Sequence, residues 1–336
     1  MVLNDAYQFA SGLITRLFLN PGSIYFVGAL FCALLVATVH LVLRRLRKGR
    51  VVRARTILAG LFPARIFRHR SMRADILLFF VNTLMTGLLI GWAIVGFGTV
   101  SEAAKAALDG WFGTQAPTAW PEWAARGLAT LIFFLAYEFG YWADHTLKHK
   151  VPMLWEFHKV HHSAEHLTPL TASRMHPVDS WIFANILSVT VGITAGTYAW
   201  AMGGTVSAYT LTGTNLILVI FIHLYLHLQH SEFWIPFTGW RGKVFMSPAH
   251  HQIHHSSSVR HFDKNMGSCL SVWDWLFGTL YMPAKEREKF GFGIDANGRD
   301  PHEMGEALFG PFRDAAGHVL PQGLRSKPEA PPQTST

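Results

Sequence analysis

Five long apolar runs constrain this chain of 336 residues more than any other feature. Residues 24–43 and 76–98 are uncharged over about the 20 residues that a helix needs to cross hydrocarbon. Residues 128–143 are apolar apart from Glu138, and 182–202 and 211–228 complete the set. The last run carries His223 and His227, which are unfavourable in lipid unless they face the protein interior. Buried helices of a large soluble protein would explain one or two such runs but not five. Composition agrees: 50% of residues are hydrophobic and only 15% are charged, against roughly 25% charged in a soluble domain. Two cysteines, Cys32 and Cys269, exclude a Cys-rich zinc site or a Cys-ligated iron–sulfur cluster. Met1 to Phe9 has no basic segment, so no signal peptide is expected.

Charge bias orients the runs. Eleven Lys/Arg residues lie between Arg44 and Arg73, whereas the 99–125 loop holds Lys105 beside Glu102, Asp109 and Glu122. The positive-inside rule places the first loop in the cytoplasm and the second outside. By the same count, 144–178 and the chain after 231 are cytoplasmic and the 203–210 turn is outside. A basic loop flanking a span needs no nucleic-acid partner, and none is expected. The fold expected is all-α: a multi-span integral membrane helical protein of a bacterial inner membrane, with a cytoplasmic histidine-rich helical cap. Residues 1–20 read as an amphipathic lead-in and 21–126 as N-terminal spans with a basic loop. Residues 127–283 read as a histidine-bearing region with a transmembrane hairpin, and 284–317 as a small polar segment. Residues 318–336 read as a disordered tail.

Of 19 histidines, 15 fall between 145 and 261, and their spacing is helical. His145 and His149 are i,i+4. His158, His161 and His162 are i,i+3,i+4, a pattern that His251, His254 and His255 repeat. His223, His227 and His230 are i,i+4,i+7. Each set shares a helix face, and the predicted topology gathers all four sets at one membrane face. Neutral imidazole suits iron, zinc and copper. Eight or more imidazoles exceed what one ion holds, so two metals share them more naturally. His40, His69, His302 and His318 read as structural or surface residues, and His166, His176, His250 and His261 as non-ligands. Glu138, Asp144, Glu156, Asp179, Asp263 and Asp274 read as orienting or helix-capping carboxylates, and Asn265 as a residue that fixes a ligand or loop. No His-Glu-x-x-His protease motif occurs.

Two stretches carry a resemblance. The first runs from His145 and His149 through Pro152, Trp155, His158, His161, His162 and Ser163 to Thr171, Arg174, His176 and Pro177. The second runs from Ser247-Pro248 through His251, His254, His255 and Ser256 to Asp263, Asn265, Gly267, Trp273-Asp274 and Phe277-Gly278-Thr279. Residues 127–283 resemble the fatty acid hydroxylase/sterol desaturase superfamily of membrane di-iron oxygenases. The resemblance implies two iron ions. Their ligands would be His145, His149, His158, His161, His162, His251, His254 and His255, with further ligands from His223, His227 and His230. It places Glu138, His176, Asp263 and Asn265 around them. Glu138 stands where the family usually has Asp and Thr146 where it usually has Arg, and neither change removes a ligand.

The implied chemistry is oxidation by O2 of an unactivated C–H bond in a lipid- or sterol-like substrate. Hydroxylation is the leading expectation and desaturation the alternative. Electrons would come from a ferredoxin, rubredoxin or cytochrome-type donor with its reductase. A non-enzymatic metal-binding or transport protein is the competing class; it predicts histidines lining a path rather than gathered at one face.

Overall fold

A computed structural model of the chain describes residues 2–89 and 95–319, and among these the regular structure is almost all helical. In chain order the helices are α1 Val2–Ile14, α2 Val27–Arg47, α3 Ala54–Leu61, α4 Ala64–Phe67, α5 Arg70–Leu89, α6 Phe97–Phe112, α7 Glu122–Lys150 and α8 Pro152–His162. They continue with α9 Pro177–Ala201, α10 Leu216–Phe221, α11 His227–Gln229, α12 Trp240–Val244, α13 Pro248–His254, α14 Val272–Phe277 and α15 Met304–Val319. The chain forms two compact units. The first comprises Met1–Ala64, Val95–Gly140 and Leu187–Gln229, and the second Arg65–Ile94, Tyr141–Ile186 and His230–Thr336.

Among the described residues two helices, α2 and α9, are both long and apolar enough to cross a membrane. On α2 the small residues Ala29, Ala33 and Ala37, four apart, are buried, whereas Phe31, Leu35 and Val39 are exposed. Small residues inside and large apolar residues outside invert the pattern of a soluble core helix and match helices whose solvent is lipid. The run at 76–98 divides between α5 and α6, and its residues 90–94 lie outside the described residues. The run at 128–143 lies within the 29-residue α7, which is not among the helices that combine the necessary length and apolarity.

The fifth run differs from expectation. Its first residues form a hairpin, β1 Thr210–Leu211 with β2 Thr214–Asn215, paired Thr210 to Asn215 and Leu211 to Thr214. Thr212 and Gly213 turn it with φ of 50° and 85°, the positive values that a tight two-residue turn requires. Asn215 then caps α10 by accepting from the Ile217 N–H at 3.0 Å. The apolar helix left, Leu216–Gln229 with a π-helical Ile222–Leu226, rises only about 21 Å, short of the roughly 30 Å of a hydrocarbon core.

In the second unit, α15 packs along α8. Leu78, Val160 and Ala307 form a buried cluster there with Met304 and Leu308; full burial of a side chain such as Leu78 is worth about 1.5–3 kcal/mol. Lys159 binds Asp314 at 2.8 Å and His318 binds Glu156 at 2.9 Å. Residues 284–317 thus belong to the same unit as α8. Of the expected tail, residues 318 and 319 end α15, and 320–336 lie outside the described residues. Arg174 is fully buried and grips the end of α8 through Val160 O and Ser163 Oγ. Its charge is met by Asp75 at 2.9 Å.

Candidate metal centre

Local sequence sets the helices that carry the imidazoles. Pro152 occupies the first turn of α8 after extended Val151, where its missing N–H is harmless. Ser247 caps α13 in a reciprocal box with His250, which accounts for that histidine. At about 100° per residue, positions i and i+4 lie about 40° apart, whereas i+3 lies about 100° from i+4. An i,i+3,i+4 triplet therefore presents a pair to one side and a single imidazole to another.

The structure uses both triplets in this way. One group holds five histidines: His145 and His149 from α7, His158 and His162 from α8, and His254 from α13. The other holds four: His161 from α8, His251 from α13, His255 just after it, and His230. In each group the ligand nitrogens lie within 4.8 Å of one another. The α8 pair serves the first group and its single His161 the second; α13 does the reverse. In the five-histidine group, Nε2 of His145 faces Nε2 of His158 at 3.0 Å. In the four-histidine group, Nε2 of His251 lies 2.9 Å from that of His230 and 3.1 Å from that of His255. His161 Nε2 is 3.4 Å from His230 Nε2.

The outer nitrogens of the five-histidine group are braced. Nδ1–H of His145 donates to Met266 O at 2.8 Å, that of His254 to Lys264 O at 2.9 Å, and that of His158 to Asp179 Oδ2 at 2.9 Å. His149 Nδ1 lies 3.5 Å from Asp263. A proton on Nδ1 leaves the inward Nε2 as a bare lone pair, the form that binds a metal. Nε2 of His149, His162 and His254 is buried with no hydrogen-bond partner among the described residues, an unfavourable state unless a ligand completes it. Burial, and then neighbouring histidines, holds His145, His161, His162, His251 and His255 well below the ordinary 6.5. Burial does the same to His254 and lowers His149 to about 4. Neutral imidazoles with converging unshared lone pairs fit iron or another imidazole-binding metal.

Residues 263–266 form the bracing loop. Asp263 and Asn265 both adopt left-handed conformations, with φ of 57° and 59°. Asn265 Nδ2 donates to His250 O and Tyr281 O, and its Oδ1 accepts from Tyr281 N at 2.8 Å. This side chain fixes the segment whose flanking carbonyls hold His145 and His254. The His149 hydrogen bond, assisted by Lys150, holds Asp263 down at about 2. Asp274 accepts from the N–H groups of Met266 and Gly267, and Lys148 pairs with both Asp144 and Asp179. The carbonyls of Lys264 and Met266 have no signature in a sequence. Asp179 showed there only as one of six nearby carboxylates.

His223 and His227 are in neither group. His223 bonds its own helix at Val219 O and faces Phe26, with ring centres 5.4 Å apart; His227 faces Tyr25 at 6.4 Å. His230, which follows the end of the same helical stretch, is the histidine of that series that joins a group. His176 Nε2 donates to Leu308 O at 3.0 Å, and its ring packs on Phe157 and Phe312, tying the back of α8 to α15. Glu138 is fully buried on α7, two turns before His145.

A cleft of about 890 Å³ opens onto His149, His162 and His254 of the first group and His255 of the second. Trp155, Phe262, Phe292 and Ile294 form apolar wall, with Lys159 and Asp295 at polar positions.

Residues 130–279 match the family described as "Fatty acid hydroxylase". The chain is 27% identical over 179 residues to alkylglycerol monooxygenase of Xenopus tropicalis, covering 51% of this chain and 34% of that protein. It is 30% identical over 169 residues to the Homo sapiens alkylglycerol monooxygenase, covering 48% and 32%. It is 26% identical over 166 residues to ornithine lipid hydroxylase OlsE of Rhizobium tropici, covering 49% and 46%. The matched segment thus spans about a third of the alkylglycerol monooxygenases and under half of the ornithine lipid hydroxylase. No solved structure matches the chain.

Proposed function

The chain belongs to the fatty acid hydroxylase/sterol desaturase superfamily, and we propose that it hydroxylates a C–H bond of a lipid-like substrate with O2 at a di-iron centre. The carrying observation is the division of nine imidazoles, eight of them on buried residues, into groups of five and four, with nitrogens converging in each. The metal ligands proposed are His145, His149, His158, His162 and His254 for one ion and His161, His230, His251 and His255 for the other. Two iron ions there would supply O2 activation and the oxidising power to attack a C–H bond.

The chain's own residues do the rest. Asp179, Asp263 and the Lys264 and Met266 carbonyls orient imidazoles and keep their lone pairs inward. The cleft touches histidines of both groups, so a carbon placed in it would be within reach of the chemistry that both groups would hold. Its aromatic wall suits an apolar chain and restricts water. Hydroxylation is preferred over desaturation because the matching relatives are named a monooxygenase and a hydroxylase. The exposed apolar face of α2 supports a bilayer location, and the basic 44–73 segment supports a cytoplasmic orientation. Electrons are assigned to an external ferredoxin, rubredoxin or cytochrome-type donor with its reductase. The test compares lipid extracts of cells with and without the gene by mass spectrometry. A species gaining one oxygen atom supports hydroxylation, and one losing two hydrogens replaces it with desaturation. Unchanged lipids from cells that contain iron-loaded protein would contradict the proposal.

A further inference from the structure

The second unit carries an apolar surface that neither the metal centre nor its cleft uses. Helices α12 and α14 lie side by side. Ser271 joins them, its N–H donating to Val244 O at 3.0 Å and its Oγ to Gly242 O at 2.8 Å. Gly242 of α12 and Asp274 of α14 are buried, as are Met246 and Leu270 beside them in the chain. Outward, Trp240 is 68% exposed, Trp275 51%, Leu276 60% and Phe277 56%, and Phe245 extends the patch. Four large side chains half or more in solvent on two short helices form an apolar patch of the kind that marks an interaction site.

We infer that the α12–α14 face is an interfacial anchor that beds in the headgroup layer of an anionic lipid bilayer. Its charge selects this occupant. Arg241 and Lys243 are exposed on α12, and the one acid within 239–245 and 271–278, Asp274, is buried and turned inward. Lys243 lies 5.3 Å from the Trp275 ring centre and Arg241 lies 5.9 Å from that of Trp240. Tryptophan beside a cation suits the membrane–water boundary, where the ring meets acyl carbon and the cation meets lipid phosphate. Helices of five and six residues gain little by inserting deeply, so the face lies in the interface instead of spanning it.

The anchor is wired to the metal centre. Asp274 of α14 accepts from Met266 N at 2.8 Å, and Met266 O receives the Nδ1–H of His145 at 2.8 Å. Phe277 stacks on Trp142, one turn before His145 on α7, at 4.4 Å. A bedded face therefore steadies α14, which is two hydrogen bonds away from His145.

This inference rests on the bilayer location proposed above and not on the metal. The test places the full chain, labelled with 5-fluorotryptophan, in nanodiscs of phosphatidylcholine and phosphatidylglycerol. Trp240→Phe and Trp275→Phe assign the two resonances, and Phe31→Trp on the exposed apolar face of α2 reports the bilayer independently. A nitroxide on the lipid headgroup should broaden Trp240 and Trp275 several-fold more than an aqueous gadolinium chelate does. That bias should shrink in the Arg241→Gln/Lys243→Gln double variant and in discs lacking phosphatidylglycerol. If the chelate broadens Trp240 and Trp275 while the lipid probe still reaches the α2 reporter, the face is open to water or to a protein partner and the inference is overturned. If the chelate reaches all three, the bilayer location fails and the anchor fails with it.

Discussion

The two histidine groups share two helices and differ in how their ligands are secured. In the group of five, His145, His158 and His254 each donate an Nδ1–H to a carbonyl or carboxylate within 2.9 Å. In the group of four, Nδ1 of His251 and of His255 is buried without a partner among the described residues. One group is braced and offers more imidazoles, whereas the other offers fewer and less fixed rings. Bracing raises ligand basicity and fixes ring orientation, so the five-histidine site should hold its metal more tightly. With four imidazoles in place of five, an ion in the other group would keep more room for an exogenous ligand. A near-symmetric sequence pattern has thus produced two unequal positions, because α7 adds a pair to one side and His230 adds a single ring to the other.

The largest effects should come from removing ligands. His254→Ala and His161→Ala each take one imidazole from a different group, and each should abolish product formation and lower bound iron; full activity in either would remove that residue from the centre. Next comes the buried charge behind the four-histidine side. Asp75→Ala leaves Arg174 unpaired at the end of α8 and should destabilise the fold by about 3–5 kcal/mol, read by denaturant unfolding. The bracing itself is tested by Asp179→Asn, expected to weaken metal binding at the five-histidine site by about 10–100-fold in a chelator competition. The half-exposed Asp263, at 3.5 Å, should give a smaller loss. Asn265→Ala should lower stability by about 1–3 kcal/mol through its unmatched backbone partners, with the Asn265→Gly variant recovering the backbone-strain part but not the hydrogen bonds. His223→Ala should leave the metal content unchanged, and equal loss in His223→Ala and His230→Ala would erase the distinction between them.

Legibility in the sequence followed the range of the interactions. The eight motif histidines could be read because i,i+3,i+4 spacing is local and survives any tertiary arrangement. The choice among His223, His227 and His230 could not, because it depends on where a helix stops. The π-turn at Ile222–Leu226 and the end of α11 at Gln229 break the regular register, and the ring beyond that break joins the group. The braces were only partly legible: carbonyls of Lys264 and Met266 look like any others until two left-handed residues turn them. In the fold, α2 and α9 were visible as apolar length. The hairpin before α10 was hidden because Thr212 and Gly213 lie inside an apolar run whose average masks the turn.

Two metal positions in one chain are the central expectation. Iron quantified per chain in the purified, iron-reconstituted protein tests it most directly, with His162→Ala and His230→Ala measured alongside. Two irons per chain are expected in the natural protein, with a loss of metal in both variants. The braced five-histidine site should still be filled when His230 is removed. A single iron in the natural protein, or none, would contradict it.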